Sequence, residues 1–399
     1  MKEKTKAKIS ILLSAMGMMT FLAPAAVIAD MVQVFPGTSV SMIQMIITIP
    51  SLVSIPLGLV AAKLAKRFLK KTLVIFGTCC YLVGGSLPYF LHFNAEVILA
   101  CSCIIGVGMG IAMTALTALI CEFFQGEERG GMLGLYAAFI SVGGTVSSLL
   151  GGRLGSSVWY HAFLAYLILI PIIALEVILL PKGHLDQEET AEQVQQSKKM
   201  SPQVWMIALT GFVFYVCINV INNNAAMLVA ERALGGSVQS SYITTCYTIA
   251  GLITGFFIGK IVVRLKRKTI AAAYVLGAAG LLIGYIGNSV ALICTGAFIA
   301  GVGFCIFGST ANFHVSEMST PATLTFSIAF LSAIINLGQA FSPVIINLTS
   351  SAAGAAVGTR FMVAGAVSLL LAVLAAIFIK NKESSKEGLE TAQALNMGD

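Results

Sequence analysis

The sequence predicts an all-α membrane protein: twelve transmembrane helices in two six-helix bundles related by a pseudo-two-fold axis. Composition, twelve apolar runs of spanning length and a repeat relating the two halves carry this reading. Of 399 residues, 57% are hydrophobic and only 10% charged, and the mean hydropathy is +0.92. A soluble domain is nearer a quarter charged. A bilayer core roughly 30 Å thick takes about 20 predominantly apolar residues per helix, whereas a barrel would show short alternating strands.

By that length the first half yields spans at about 9 to 29, 41 to 62, 73 to 93, 96 to 120, 131 to 152 and 158 to 180. The second half yields spans at about 203 to 223, 239 to 263, 269 to 288, 291 to 315, 324 to 348 and 359 to 380. The basic start MKEKTKAK with the small residues of AAVIAD is also the pattern of a secretory signal. No soluble domain follows it, so the run reads as the first span.

Between spans 2 and 3, AKLAKRFLKKT (62 to 72) holds five positive charges in eleven residues. Lys and Arg of short loops stay cytoplasmic. Twelve spans with an internal N-terminus put this cluster, Arg129, Lys182, Lys198, Lys199, the 260 to 268 cluster and the Lys380 to Lys386 segment on that side, leaving only Arg153, Arg232 and Arg360 outside. The expected location is the cell membrane, with both termini cytoplasmic. The net charge of +7 follows from this topology, so no nucleic-acid partner is expected.

Residues 181 to 203, PKGHLDQEETAEQVQQSKKMSPQ, are polar and without apolar periodicity, and read as a linker. The expected organisation is a bundle over 1–180, a cytoplasmic linker over 181–203, a second bundle over 204–380 and a cytoplasmic tail over 381–399. Shifted by 197, Ser54, Gly58 and Ala62 fall on Gly251, Gly255 and Gly259, and Lys63, Arg67, Lys71 and Thr72 fall on Lys260, Arg264, Lys268 and Thr269. Shifted by 195, Gly106 and Gly108 fall on Gly301 and Gly303, Glu122 on Glu317, and Gly143 on Gly338. Parallel six-span repeats around an axis normal to the membrane are a transporter arrangement.

On these residues the chain resembles the major facilitator superfamily. AKLAKRFLKK is similar to its loop signature G-x-L-A-D-R-x-G-R-R, and GKIVVRLKRK (259 to 268) to the second copy. GEERGGMLGLYAA from Gly126 resembles E-x-R-G-x-x-x-G, and VWYHAF from Val158 resembles W-R-x-x-F. The resemblance implies the major facilitator fold and a central cavity lined by spans 1, 2, 4, 5, 7, 8, 10 and 11. The sequence departs from the signatures at Ala62, Lys66, Leu69 and Val263, has Ser102 where an arginine often stands, and keeps only Gly143, Ser147, Ser148, Gly151 and Gly152 of an antiporter motif.

Polar residues at membrane depth are costly and tend to face a cavity. The candidate solute contacts are therefore Thr114, Tyr215, Asn219, Asn222, Asn223, Tyr247, Asn336 and Gln339. Asp30, at the outer end of span 1, is the candidate proton-coupling carboxylate, and Glu176 in peripheral span 6 is expected to snorkel. Arg67, Lys71, Glu122, Arg264, Lys268 and Glu317 are the expected cytoplasmic gate, in which a carboxylate meets a guanidinium. The small-residue row from Gly251 is expected to be a sliding contact.

The nine cysteines lie in or at the ends of spans and read as small hydrophobes. The four histidines are scattered, so neither a metal nor another cofactor is expected. The expected activity is secondary transport of a small neutral, zwitterionic or amphiphilic solute by a monomer, as proton-coupled efflux. An importer or a uniporter is the alternative, and a membrane receptor or membrane-embedded enzyme is the reading from another class.

Overall fold

The computed structural model describes residues 3–185, 202–265, 268–318, 324–352, 354 and 356–396. Twelve helices among the described residues are long and apolar enough to cross a membrane. They are α1 (Lys4–Val34), α2 (Val40–Leu64), α3 (Lys70–Phe90), α4 (Ala95–Phe123), α5 (Gly126–Leu154) and α6 (Trp159–Leu179) in the first half. The second half holds α7 (Pro202–Glu231), α8 (Ser237–Leu265), α9 (Thr269–Ile286), α10 (Val290–Met318), α11 (Leu324–Ser351) and α12 (Val357–Asn396). No strand occurs among the described residues, as expected where each backbone polar group must be satisfied within the lipid.

The first helix of each half is broken in mid-course. α1 runs as α-helix to Gly17 and resumes at Ile28, with a tighter 3-10 stretch at Thr20–Val27 that contains Pro24. Proline has no N–H to give the ladder, so the tight turns there cost little extra. α7 is interrupted at Asn219, whose side-chain amide and backbone N–H both donate to Tyr215 O, at 2.9 and 3.3 Å. A side chain competing for its own helix's carbonyl distorts the ladder. The starts of α2 and α4 are capped by Ser39 Oγ and Asn94 Oδ1, which accept from Met42 N and Val97 N.

Buried apolar side chains form two clusters. One runs from Ile11 to Leu180 and includes Ala226; the other runs from Val204 to Ala372. The pairings inside them repeat with an offset of six helices. α2 and α3 pack on α4 as α8 and α9 pack on α10, and α1 packs on α5 as α7 packs on α11.

Aligned glycines make the same close approaches. A Cβ on Gly106 would stand 2.6 Å from Val53 Cβ and 2.9 Å from Pro50 O, while on Gly301 it would run into Tyr247 O and stand 2.8 Å from Ala250 Cβ. Gly143 abuts Met16 O as Gly338 abuts Phe212 O. Only glycine lets helix backbones come this near. The halves meet through α5 with α8 and through α2 with α11, two contacts that the same offset interchanges. That exchange is what a pseudo-two-fold axis requires.

Two expectations are corrected. Ser54 and Gly58 pack on Gly110 and Thr114 of α4 in their own half, while Gly255 and Gly259 face open space. Of the row from Gly251, only Gly251 reaches the other half, with Ser141 Oγ of α5 3.5 Å from where its Cβ would stand. Glu176 does not snorkel: it is 1% exposed, held between α1, α3 and α6.

Candidate functional site

The end of the molecule that carries the 65–69 loop is here called the basic end, and the opposite end the far end. The two halves are sealed together at the far end. Gln44 of α2 is wholly buried, and its Nε2 donates to Asn223 O at 2.9 Å and to Asn224 Oδ1 at 2.8 Å. Asn347 Nδ2 donates to Gln44 Oε1 at 2.7 Å and to Ser41 Oγ at 2.9 Å, and Thr48 Oγ1 donates to Ala340 O at 3.2 Å.

A second seam of hydroxyls joins α5 to α8. Thr145 bonds Thr248 at 2.8 Å, Ser148 bonds Thr244, and Ser237 Oγ donates to Gly152 O at 2.9 Å. Beside it, Ser240 Oγ donates to Ala26 O of α1 at 2.9 Å.

Thr48 lies eight residues into α2, and Ala340 eleven before the end of α11. At 1.5 Å rise per residue the seal is about 12–17 Å deep, roughly half of a 30 Å hydrocarbon core. Past that depth the halves part. The hydrogen bonds between halves named above all lie in the far-end seal. Towards the basic end, Gly131 and Gly134 of α5 and Gly255 and Gly259 of α8 have nothing within 4 Å of where a Cβ would stand.

The expected solute contacts divide between these regions. Tyr215 and Tyr247, both buried, come together around Phe304, with ring centroids 5.1 and 5.5 Å from it. Asn336 lies one turn from Ala340 on the basic-end side of the seal; it and Gln339 are half-buried and make no side-chain hydrogen bond among the described residues. Thr114 belongs to the first half and bonds its own helix at Gly110 O. Asn219 likewise bonds its own backbone. Asn223 is part of the seal, donating from Nδ2 to Ser342 Oγ at 3.4 Å, while the Oδ1 atoms of Asn222 and Asn223 are buried without a partner.

Sequence reading missed Gln44, Asn347 and Arg360. A glutamine inside the apolar run SMIQMIITI was a readable signal, since such a side chain needs a polar partner in the membrane. Arg360 of α12 is half-buried and donates to Asn224 Oδ1 at 2.6 Å, which fixes the amide that receives Gln44. Glu231 sits by it with both oxygens occupied, accepting from Val357 N at 2.9 Å and Gly358 N at 3.3 Å. Asp30 is half-buried near the far end of α1, with no hydrogen bond or ion pair among the described residues.

At the basic end the expected gate residues are not gathered. Glu122 Oε2 pairs with Lys70 Nζ at 3.1 Å, and its Oε1 accepts from His184 N at 2.8 Å and contacts His184 Nδ1 at 2.5 Å. Lys70 Nζ also donates to His184 O at 2.7 Å, and Lys71 Nζ to Val177 O at 2.7 Å. These bonds fasten the segment after α6 to the first half. Arg67, Arg264 and Lys268 are exposed, and Arg67 and Arg264 make no ion pair among the described residues. The side chain of Glu317 lies outside the described residues.

Two repeated bundles, sealed at one end by polar contacts and parted at the other, define a polytopic membrane transporter. The family model of the Major Facilitator Superfamily matches residues 9–229 and 207–396, and the chain belongs to that family. It is similar to the cis,cis-muconate transport protein of Acinetobacter baylyi, 25% identical over 305 residues, covering 69% of this chain and 70% of that protein. It is also similar to multidrug resistance protein 3 of Bacillus subtilis, 25% identical over 173 residues; that match covers 43% of this chain and only 32% of the relative.

Among solved structures, the nucleoside transporter NupG superposes with a TM-score of 0.76 at 10% identity, covering 93% of this chain and 99% of that one. A bacterial homologue of the lysosomal transporter Spinster, in an inward-facing and unoccupied conformation, superposes with a TM-score of 0.71 at 14% identity, covering 94% and 96%. At these identities the likeness shows the fold. Membership of the family makes the activity transport and not catalysis of a chemical reaction.

Proposed function

We propose that the protein moves a small neutral, zwitterionic or amphiphilic solute across the cell membrane by alternating access, as proton-coupled efflux. The observation that carries this reading is the asymmetry between a hydrogen-bonded far end and a parted basic end. The excess of Lys and Arg supports a cytoplasmic basic end, and on that reading the state described is open inward.

The solute would meet Tyr215, Tyr247 and Asn336 just below the seal, with Gln339 and Thr114 beside them. Asn219, Asn222 and Asn223 would be uncovered as the seal opens. Arg67, Lys71, Glu122, Arg264, Lys268 and Glu317 would be drawn together at the cytoplasmic gate only in the opposite state. Asp30 would take up a proton from outside. The protein acts as a monomer, with a bundle over 1–180, a linker over 181–203, a second bundle over 204–380 and a cytoplasmic tail over 381–399.

Efflux is favoured by the amphiphilic lining of rings and amides and by the multidrug relative. A second reading takes a small metabolite as the solute, carried by an importer or a uniporter; the muconate transport relative, whose match extends over more of the chain, supports that choice of solute. The test is counterflow in proteoliposomes. An amphiphilic cation and a small carboxylate are offered in turn, with and without a pH gradient. The proposal expects exchange of the amphiphile, accelerated by an inward proton gradient; exchange of the carboxylate alone would favour the metabolite as solute, and exchange of neither would count against both.

A further inference from the structure

Glu176 of α6 is a carboxylate that the reading above leaves unused. It stands one turn from the basic-end terminus of its helix, is 1% exposed, and its Oε2 is sealed from solvent without a hydrogen-bond partner. α1 and α3 pack against this part of α6. α1 presents Ser14 to the carboxyl group, and α3 presents Thr78 and Cys79.

The cations of these elements lie elsewhere. Lys70 binds Glu122 and His184 O, Lys71 binds Val177 O, Lys4 of α1 pairs with Glu128, and Lys6 and Lys8 of α1 are exposed. No cation pairs with Glu176 among the described residues.

The hydroxyl protons around it can be counted. Ser14 Oγ donates to Ser10 O at 2.9 Å, which commits its one proton to the helix backbone. Thr78 Oγ1 lies 3.0 Å from Glu176 Oε1 and 3.0 Å from Val74 O, and one hydroxyl has one proton to give. Either Thr78 abandons Val74 O to serve an ionised Glu176, or the acid itself is the donor. The first choice gains about 1 kcal/mol from one hydrogen bond, against several kcal/mol for an unpaired buried charge. The second choice satisfies both hydroxyls and leaves no charge.

We infer that Glu176 is a proton-binding site, occupied in this inward-open state, whose loading and release bias the position of α1 and through it the seal between the halves. The inference rests on reading the chain as a proton-coupled transporter. α1 makes the connection. Beyond Ser14 it breaks into the 3-10 stretch, its Met16 and Ala23 carbonyls abut Gly143 and Gly151 of α5, and its Ala26 O takes the bond from Ser240 across the halves. On release, the O–H bond breaks, its electron pair stays on the carboxylate and the proton passes to water at the basic end.

The test uses the purified full-length protein and no solute. Infrared difference spectra of the wild type are expected to show a protonated-carboxyl stretch at neutral pH that shifts in D2O and fades on raising the pH. Glu176→Gln should lose this band and Glu176→Asp should displace it, so the assignment survives if one variant folds poorly. Spin labels on Gly134→Cys and Gly255→Cys, in a background freed of native cysteines, report the opening at the basic end. The wild-type distance should shorten from acid to alkaline pH, and the Glu176→Gln distance should not respond. A wild type without the band, or a Glu176→Gln variant with the full pH response, overturns the inference. Failure of solute counterflow would leave both readouts intact and would count against the proposed function instead.

Discussion

Gln44→Leu removes the residue that ties α2 to both α7 and α11. The two side chains are similar in size, so the change deletes bonds and leaves no large cavity. Three hydrogen bonds to nitrogen or oxygen go, Nε2 to Asn223 O, Nε2 to Asn224 Oδ1 and Oε1 from Asn347 Nδ2, with a weaker one from Nε2 to Met227 Sδ. At about 0.5–1.5 kcal/mol net for each hydrogen bond, the sealed state loses about 2–4 kcal/mol. Asn224 Oδ1 keeps Arg360, and Asn347 Nδ2 keeps Ser41, which holds the loss to that range.

A loss of this size shifts a two-state equilibrium by about 30-fold to 1,000-fold. Labels at Gly37 and Gly236, far-end glycines of opposite halves with nothing within 4 Å, would read the outcome by pulsed electron spin resonance. The wild type should give one short distance, and Gln44→Leu should add a longer population that rivals or exceeds it. An unchanged distribution in a folded Gln44→Leu protein would refute the assignment of Gln44 as the keystone of the seal.

Glu122→Gln and Lys70→Met should each lower thermal stability, because each breaks the 3.1 Å ion pair while leaving the other partner bonded to His184; about 1–3 kcal/mol would appear as a clear drop in melting temperature. Gly106→Val should abolish folding because of the Val53 and Pro50 contacts, whereas Gly255→Ala, facing open space, should leave fluorescence-detected size-exclusion profiles unchanged. Asn336→Ala should leave stability within about 0.5 kcal/mol, having no described partner to lose. It should raise the KM for the transported solute about two- to tenfold, the worth of one hydrogen bond.

The helices and their pairing were legible because length and spacing encode them. An apolar run of some 20 residues states a span, and Gly106 with Gly301, or Gly143 with Gly338, states where two backbones must approach. The breaks in α1 and α7 were harder to read, since Pro24 and Asn219 act through local backbone bonding that hydropathy does not register. Partners were the least legible. Glu122 was matched with Arg67 by the repeat, yet Lys70 and His184 reach it first, because rotation of α3 and the course of the segment after α6 decide which cation is near. Glu176 looked free to reach the bilayer surface; packing by α1 and α3 decided otherwise, and no spacing in the sequence records which face of α6 is covered.

The central claim is that the two ends of the protein open in alternation. Pulsed distance measurements at both ends of the same variants test it most directly, with one pair of labels at Gly37 and Gly236 and the other at Gly134 and Gly255. The account predicts that Gln44→Leu lengthens the far-end distance and shortens the basic-end distance together. Lengthening at the far end with the basic end unchanged, or both distances moving in the same direction, would contradict it.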